Sequence, residues 1–417
     1  PGSIVDTRAG DGTAGMWLID PADLNVVTGG GNDPTASTVD PLTVASLLNL
    51  SNITLQATNS ITVSNLIDAS ANAAANSLTL DTVTLNLNAP IILKTGATLS
   101  GTSLLTTVNV GAAGRVQNGI DAVAANGTVN LAASTYNLPG TVNIAKNVTL
   151  NGTAGSTVLD AGNAFGVMSI SAGTVTLDGL TLQRGSAVSG GGLSVEGAAN
   201  VTIRNSTITA NRATNSAGSG FFGGGLLTTT SSTTVAMDRS TISNNTARYG
   251  AGVDHYGVLT ITNSTISGNV ASSSGGGAYI NPGASLSITN STVANNRSSG
   301  VGTGLDNDGG TLIVRRTTVV GNVGATGGGI YSGGGTFTIG HSLVVGNTAS
   351  LGPDMRVVGG TVTSEGYNIL GSISGFTPNG TTDVTYTGAL ADIVQTSAGA
   401  VVLADNGGPT QTVALVH

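Results

Sequence analysis

The chain contains 417 residues, of which 39% are hydrophobic, 8% are charged and none is cysteine. With 13 basic against 21 acidic side chains, it lacks the clustered positive charge that duplex nucleic acid or an anionic membrane surface would require. No stretch approaches the roughly 18 consecutive apolar residues of a membrane-spanning helix. The composition therefore predicts a folded, β-rich chain without disulfides, without a nucleic-acid partner and without a membrane-inserted segment.

Short runs that alternate apolar and polar residues begin near residue 48 and continue to about residue 110. Examples are Ile53-Thr-Leu55, Ile61-Thr-Val63 and Leu78-Thr-Leu80. A period of two predicts strands with one buried face, and the Asn, Gly and Ala residues between the runs suit the corners of a coil. This part of the chain is therefore predicted to form stacked coils of a β-solenoid.

A Trp-containing phrase, Trp17-Leu-Ile-Asp20-Pro21, precedes coils of the form Asn52-Ile-Thr-Leu-Gln-Ala57. These residues resemble the repeats of filamentous-haemagglutinin-type adhesins. The resemblance covers roughly the first quarter of the chain. In that family the fold is a right-handed parallel β-helix exported across the outer membrane, and the resemblance implies the same architecture here. We predict that residues 1–112 form a haemagglutinin-like β-helix segment.

The pattern changes after residue 112. Val116, Ile120 and Val123 fall on one helical face and Asn126-Gly127 supplies a stop signal, which predicts one short helix near residues 115–125. The helix is followed by a Gly-Thr-Val strand, a turn containing Tyr and a strand ending in Leu-Asn-Gly. This order resembles the entry of pectin-lyase-like β-helices, and it implies that a second β-helix segment begins here.

Six copies of one phrase follow, each a Ser/Thr-rich strand with an apolar residue three places before an Asn. The closing residues are Asn211, Asn245, Asn269, Asn296, Asn322 and Asn347, which lie 34, 24, 27, 26 and 25 residues apart. A period in this range without a helical pattern predicts a solenoid. Three strand-like runs in each period predict an all-β, three-sided, right-handed parallel β-helix, and a whole chain of such coils would contain about 17 of them.

Phrases of three glycines and an apolar residue, such as Gly275-Gly-Gly-Ala278, alternate with these copies. The paired phrases resemble the repeat of bacterial polymorphic outer-membrane proteins over roughly residues 178–348, although that family prefers Phe where this chain has Ile or Val. We predict a pectin-lyase-like β-helix with coils of 24–27 residues over residues 113–350. Terminal coils and a partial cap are predicted over residues 351–417.

Two groups of side chains carry chemistry that a β-helix could use. Arg248, Asp254, His255 and Tyr256 could cluster on neighbouring coils, as a polysaccharide lyase or hydrolase would need. Asp306-Asn-Asp308 has the spaced oxygens of a Ca²⁺ loop but lacks its distal Glu. An exposed polar patch and a turn explain these groups without chemistry, so we predict no catalytic residue, no metal site and no cofactor.

Few aromatic side chains are available to stack on a sugar, namely Trp17, Phe221, Phe222 and Tyr249. Phe221 and Phe222 lie in the one long repeat, which predicts a loop that leaves the solenoid. We expect the two rings to pack there rather than bind a ligand. The recurrent Asn is also expected to be structural, because its amide can bond to the identical amide of the next coil.

The patterns together favour a mechanical and adhesive function over catalysis. We expect a secreted, non-enzymatic segment of a large bacterial surface protein, located outside the cell or on its surface, that serves as a stalk or as a self-assembling fibre subunit. Its expected partners are other copies, end to end or side by side, or a glycan or protein on a host or cell surface. The absence of a recognisable leader or cap at Pro1 and His417 favours a piece of a longer protein. The alternative is a polysaccharide lyase or hydrolase of pectin-lyase-like fold that uses Asp254 and His255.

Overall fold

The computed structural model describes residues 21–31, 37–214 and 221–416, so Trp17 lies outside the described residues. Nearly all its strands pair in parallel with strands of the neighbouring coils, which confirms the all-β, right-handed parallel β-helix. About 12 turns are formed, fewer than the predicted 17. It divides into two compact units, the N-terminal unit (residues 1–136 and 146–157) and the C-terminal unit (residues 137–145 and 158–417).

In the N-terminal unit, one parallel sheet holds a column of strands that alternate buried and half-buried side chains. These strands are Asp23–Val26, Thr38–Val39, Ser60–Val63, Thr84–Leu87, Thr107–Val110, Gly127–Leu131 and Val148–Asn151. A second sheet contains Ile53–Gln56, Leu78–Asp81 and Leu99–Gly101, and a third pairs Ile67–Asp68 with Ile91–Ile92. The period of two in the sequence therefore becomes one inward and one outward face on each coil.

Two short helices interrupt the strands of this unit. The helix Val116–Ala122 confirms the predicted one. The helix Pro41–Leu47 is not among the predicted elements, although its start signal is present: Asp40 accepts a hydrogen bond from the Leu42 N–H, and Pro41 occupies the first turn. Within the described ranges, no helix has the length and apolar character needed to cross a membrane.

Each coil of the C-terminal unit contains up to four strands, named here first to fourth in chain order. The first strands are Val142–Ile144, Met168–Ile170, Leu193–Val195, Leu226–Thr228, Val253–His255, Ala278–Ile280, Met355–Val357 and Ile373–Ser374. The second strands are Thr174–Asp178, Asn200–Arg204, Thr234–Asp238, Val258–Thr262, Ser285–Thr289 and Thr361–Gly366. In two coils the first and second strands are continuous, as Leu305–Arg315 and Ile330–Gly340.

The remaining strands of this unit build two further sheets. The third strands are Leu180–Gln183, Thr207–Thr209, Thr241–Ser243, Thr265–Ser267, Thr292–Ala294, Thr318–Val320, Leu343–Val345, Ile369–Leu370 and Val384–Thr385. The fourth strands are Ser186–Ala187, Arg212–Ala213, Thr246–Tyr249, Val270–Ser274 and Arg297–Ser298. Along the chain, Thr135–Asn137 and Thr157–Asp160 cross the division between the two units.

Apolar columns fill the interior of the C-terminal unit. The register stacks Val235, Leu259, Leu286, Leu312 and Phe337 in successive coils. Each of the five side chains is at most 1% exposed. Because burying one such side chain contributes about 1.5–3 kcal/mol, an apolar residue at the same place in every coil favours stacking of the coils.

The corner before most third strands has a left-handed backbone. Asn263 and Asn290 have a φ of 49° there, and Arg316 and His341 occupy the same corner with φ values of 46° and 53°. Asn adopts this conformation more readily than most residues. The Asn that precedes several third strands is therefore explained by the turn itself.

The chain leaves the coil after Val384–Thr385. A 3₁₀ turn, Leu390–Asp392, follows, and then come two antiparallel pairs. These pairs are Thr396–Ser397 with Ala400–Val401, and Leu403–Ala404 with Thr412–Val413. We call residues 386–413 the C-terminal cover.

The C-terminal cover lies against the outward face of the third strands. Val394 and Val401 of the cover share an apolar cluster with Val320 and Val345 of two coils. Further along the same face, Thr265 donates its hydroxyl hydrogen to the Gln411 carbonyl oxygen at 2.6 Å. The cover thus shields the outward apolar side chains of Val320 and Val345. The predicted segment boundaries at residues 112 and 350 remain predictions.

Candidate functional site

The recurrent Asn residues form a continuous ladder inside the C-terminal unit. Its members are Asn211, Asn245, Asn269, Asn296, Asn322 and Asn347, none more than 6% exposed. Each side-chain amide donates to the Oδ1 atom of the next Asn at 2.8–3.1 Å, and the backbone N–H donates to the same oxygen. The other amide hydrogen reaches a backbone carbonyl, as from Asn269 to Ile242. Hydrogen bonds to neighbouring coils therefore occupy the Asn side chains.

Glycine makes room for this ladder at the third position of the Gly-rich phrases. A Cβ atom at Gly252 would lie 2.3 Å from the Gly277 carbonyl oxygen and 3.0 Å from the Asn269 Nδ2 atom. No side chain fits between these groups. The Gly-rich phrase and the phrase that ends in Asn therefore contact each other in the folded chain, where a glycine backbone packs on an Asn amide.

A second polar column runs along the outward face of the first strands. The register places Asp254, Tyr279, Asp306 and Tyr331 in successive coils. We call these four residues the Asp/Tyr column. Residues in register on parallel strands lie about 4.8 Å apart and present their side chains on the same face, so each Tyr ring flanks a carboxyl group.

The two carboxyl groups of the column are deeply buried, although they belong to the outward face. Asp254 is 0% exposed; its Oδ1 accepts a hydrogen bond from the Asn281 side chain at 2.7 Å, whereas its Oδ2 has no partner. Asp306 is 1% exposed, and neither of its carboxyl oxygens has a hydrogen-bond partner. Burial raises the pKa of the Asp254 carboxyl to about 7. Burial, with a contribution from the nearby Asp308 charge, also raises the pKa of Asp306 well above its usual value.

Tyr279 links the column to a third carboxyl group and to a row of aromatic rings. Its hydroxyl donates to Asp308 Oδ2 at 2.6 Å, and burial and that hydrogen bond raise the pKa of the hydroxyl. The Tyr249 ring lies 5.7 Å from the Tyr279 ring and 5.6 Å from the Phe222 ring, which stacks on it. The Arg248 guanidinium lies over the Tyr249 ring, 5.2 Å from its centre. Cationic, aromatic and acidic groups therefore follow one another along this face.

The structure separates His255 from the group with which the sequence analysis placed it. His255 follows Asp254 on an extended strand, so its ring faces the interior and is 0% exposed. Its Nδ1 lies 2.9 Å from the Thr228 hydroxyl and its Nε2 lies 3.0 Å from the Ser285 carbonyl oxygen. Burial lowers the pKa of His255 to about 4. The ring is thus a neutral core residue, and a substrate on the outward face cannot reach it.

Asp306-Asn-Asp308 does not converge as a Ca²⁺ loop would. Asn307 points to the interior, where its side chain donates to the Gly334 carbonyl and accepts from the Gly310 N–H. Asp308 is engaged with Tyr279. In the part of the chain that the structure describes, no group of three or more His, Asp or Glu side chains could hold a metal ion.

The two adjacent phenylalanines have different surroundings. Phe221 packs against buried alanines of three coils, Ala213, Ala247 and Ala271, whereas Phe222 forms a β-bridge with Tyr249 and stacks on its ring. Residues 215–220 of the long repeat lie outside the described ranges. Phe222 is thus a member of the aromatic row next to the Asp/Tyr column, which the sequence spacing alone did not indicate.

A polar cleft of about 450 Å³ lies elsewhere in the C-terminal unit, between the third strands and the C-terminal cover. Its lining includes Thr241, Ser267, Asn295 and Gln411, and every side chain that lines it is uncharged. The cleft offers hydroxyl and amide groups for hydrogen bonding, but it contains no acid, base or nucleophile with a shifted pKa.

Stacked parallel coils, inward apolar columns and a buried Asn ladder define a parallel β-solenoid repeat protein. Residues 141–301 and 224–372 match the family described as "Right handed beta helix region", and these overlapping ranges together span more than half of the chain. The chain belongs to this family. No curated protein and no solved structure matches it. Family membership establishes the fold, and the function has to be argued from the residues.

Proposed function

We propose that the chain is a secreted structural and adhesive segment of a large bacterial surface protein, acting as a stalk or as a subunit of an extracellular fibre. The observation that carries the proposal is the unbroken Asn ladder. From Asn211 to Asn347 every coil is joined to the next by side-chain and backbone hydrogen bonds that are shielded from water. Such bonds, combined with continuous apolar columns, favour a stiff element that keeps its shape without disulfides or metals.

The outward surface also supports a mechanical role. Only 8% of the residues are charged, and outward positions of several third strands are Thr or Ser, as at Thr207, Thr241 and Ser243. Electrostatic repulsion between copies is therefore small, which favours close lateral packing. Other copies, or a glycan or protein on a cell surface, are the partners that this proposal names.

The proposal assigns no catalytic step to the chain. Its support is that His255, which the enzymatic alternative uses, faces the core with both ring nitrogens next to protein partners. Asp254 and Asp306 are shielded from solvent rather than lining an open cleft.

Electron microscopy of the purified chain over a concentration series tests the structural role. We expect stiff particles that associate end to end or side by side as the concentration rises, together with binding of the chain to immobilised cell-surface material. Dispersed particles at every concentration, combined with turnover of a polysaccharide that is lost in Asp254→Asn, would replace this proposal with the enzymatic one.

A further inference from the structure

The inference concerns the cleft of about 450 Å³ between the third strands and the C-terminal cover, and it rests on the adhesive part of the proposed function. The floor of the cleft is the outward face of three third strands, Thr207–Thr209, Thr241–Ser243 and Thr265–Ser267. The register places Thr or Ser at both outward positions of each strand, about 4.8 Å from the counterpart in the next coil. The volume is within the roughly 300–1,000 Å³ of small-molecule sites. A small ligand therefore has room above two rows of hydroxyl groups.

The outward residues of this face change from polar to apolar from coil to coil, and the cleft lies where they change. Beyond Ser243 and Ser267 the same row continues with Ala294, Val320 and Val345. The apolar cluster of the C-terminal cover includes these three residues. The cover is thus held over the apolar coils, and the cleft opens beside it above the hydroxyl side chains.

Several polar side chains of the cleft are available to a ligand. Five that line it have no hydrogen-bond partner among the residues that the structure describes, namely Thr207, Thr241, Asn244, Ser267 and Gln411. Ser267 is only 8% exposed, so its hydroxyl meets a partner through the cleft. Asn244 and Gln411 are exposed and mark the open side of the cleft. The cleft thus combines access from solvent with a buried hydroxyl group that lacks a partner.

Two hydrogen bonds fix the wall that the C-terminal cover forms. Thr265 donates its hydroxyl hydrogen to the Gln411 carbonyl oxygen at 2.6 Å, and the Asn295 side-chain amide donates to the Val401 carbonyl oxygen at 3.2 Å. Both donors belong to the coils, so the floor and the wall are joined directly. A cleft that is formed before its ligand arrives reduces the ordering cost of binding.

The lining selects a neutral ligand that carries many hydroxyl groups. A hydroxyl or a primary amide both donates and accepts hydrogen bonds, which matches the hydroxyl groups of a sugar. Among the described residues, none that lines the cleft is charged, so a charged ligand would lose hydration without gaining an opposite charge. Leu403 supplies an apolar surface for the C–H face of a sugar ring.

An extended peptide is less suited to this floor. Peptides that add to a sheet bind through the unpaired backbone groups of an edge strand. The strand Thr241–Ser243 is instead paired with a third strand on each side, so the floor presents side chains to the ligand. These observations favour a saccharide over a peptide.

We propose that the cleft is a binding site for a short neutral glycan. The hydroxyl groups of Thr241 and Ser267 form hydrogen bonds with sugar hydroxyl groups from the floor. The amides of Asn244 and Gln411 bind the sugar from the open side, and Leu403 contacts the apolar face of one ring.

The test measures saturation transfer in NMR spectra from the full chain to cellobiose, lactose, maltose and chitobiose, with each sugar titrated to saturation. We expect at least one of these neutral sugars to bind with a dissociation constant of roughly 1 mM. In the double variant Asn244→Gly/Ser267→Ala the affinity should fall at least about tenfold, because two hydrogen bonds are lost. The variant is expected to fold, since Gly268 and Gly321 occupy the same corner in other coils with positive φ, as Asn244 does. Thermal unfolding of the same samples verifies this.

Asn163→Gly/Ser287→Ala is the matched control. Asn163 is an exposed residue with positive φ, and Ser287 is an outward residue of a second strand, and both lie outside the cleft. The affinity of this variant should equal that of the wild type.

Three results would overturn the proposal: no saturation transfer to any of the four sugars, equal affinity in the cleft variant and the wild type, or tighter binding of digalacturonic acid than of every neutral sugar. Binding of the uncharged peptide N-acetyl-Ser-Thr-Asn-amide in place of the sugars would overturn it in favour of a protein partner. The particle association seen by electron microscopy does not depend on this cleft, so failure of the glycan site and failure of the structural role are separate results.

Discussion

The Asn ladder and the two Asp residues of the Asp/Tyr column are both buried polar side chains in the coils, yet only the ladder satisfies its hydrogen bonds. In the ladder, donors and acceptors are matched from Asn211 to Asn347. In the column, three carboxyl oxygens of Asp254 and Asp306 have no partner. An amide carries a donor and an acceptor and can pair with a copy of itself, whereas an ionised carboxylate only accepts. Asn residues repeated in successive coils can therefore satisfy one another's hydrogen bonds, whereas repeated Asp residues need a donor from another group.

The largest expected effect comes from breaking the ladder at its middle. Asn269→Ala removes the acceptor of the Asn245 backbone N–H and side-chain amide and leaves both buried donors unpaired. We expect the free energy of unfolding to fall by about 3–5 kcal/mol, measured by urea denaturation.

Asn109→Ala is the control for this change. Asn109 belongs to an outward row in which its amide donates to Asn86 at 2.9 Å, but its side chain is only half-buried. Water can replace that hydrogen bond, so the loss should stay below about 1 kcal/mol. Equal losses in the two variants would show that burial does not distinguish the two rows.

The next largest effect is expected in the Asp/Tyr column, where replacing Asp254 should increase the free energy of unfolding. The pKa of Asp254 is about 7 in the folded chain and has its ordinary value near 4 in the unfolded chain. The folded state therefore binds the proton of Asp254 more tightly than the unfolded state does. The contribution of this proton to the stability of the folded chain is complete below pH 4, declines as the pH rises towards 7 and is absent above pH 7. Asp254→Asn should accordingly raise the free energy of unfolding at pH 8 by about 2–4 kcal/mol, with little change at pH 4.

Denaturation of both proteins between pH 4 and 9 measures this difference. Glu196→Gln offers a comparison in the same unit, because Glu196 is an exposed carboxylate. It should not reproduce the pH-dependent gain. A flat difference between wild type and Asp254→Asn across this pH range would contradict burial of an ionisable carboxyl group.

The smallest effect is expected at the edge of the column. Tyr279→Phe keeps the aromatic wall and deletes the hydrogen bond to Asp308, which water can replace. The unfolding free energy should fall by about 0.5–1.5 kcal/mol. Tyr279→Ala should cost more, because it also removes ring contact with Tyr249, and thermal unfolding of the pair separates the two contributions.

The ladder was predictable from sequence and the column was not, for a physical reason. Asn269 and Asn296 recur in a phrase whose spacing reveals the coil, and the same spacing implies that identical amides meet. Asp254, Tyr279 and Asp306 recur at the coil spacing too, but they are different residue types, so only the strand register shows that they are neighbours.

Two other differences have local causes. Asp254 and His255 were expected to cluster with groups of neighbouring coils on one face, whereas the alternation of an extended strand sends these two adjacent residues to opposite faces. The C-terminal cover lacks the coil period altogether. Its contacts with Val320 and Val345 depend on which outward side chains are apolar, and no repeat in the sequence encodes that pairing.

The Asn ladder has a direction, and this gives the solenoid a rule for growth. Each Asn donates its side-chain amide hydrogen to the Oδ1 atom of the Asn one coil further on. A duplicated coil inserted between Asn211 and Asn347 would therefore form the same hydrogen bonds on both sides. At the final step Asn347 donates to Asp354 Oδ1 at 2.9 Å, and a carboxylate has no amide hydrogen to pass on. As far as these hydrogen bonds are concerned, gene duplication can therefore lengthen the ladder internally in whole coils, and Asp354 ends the series.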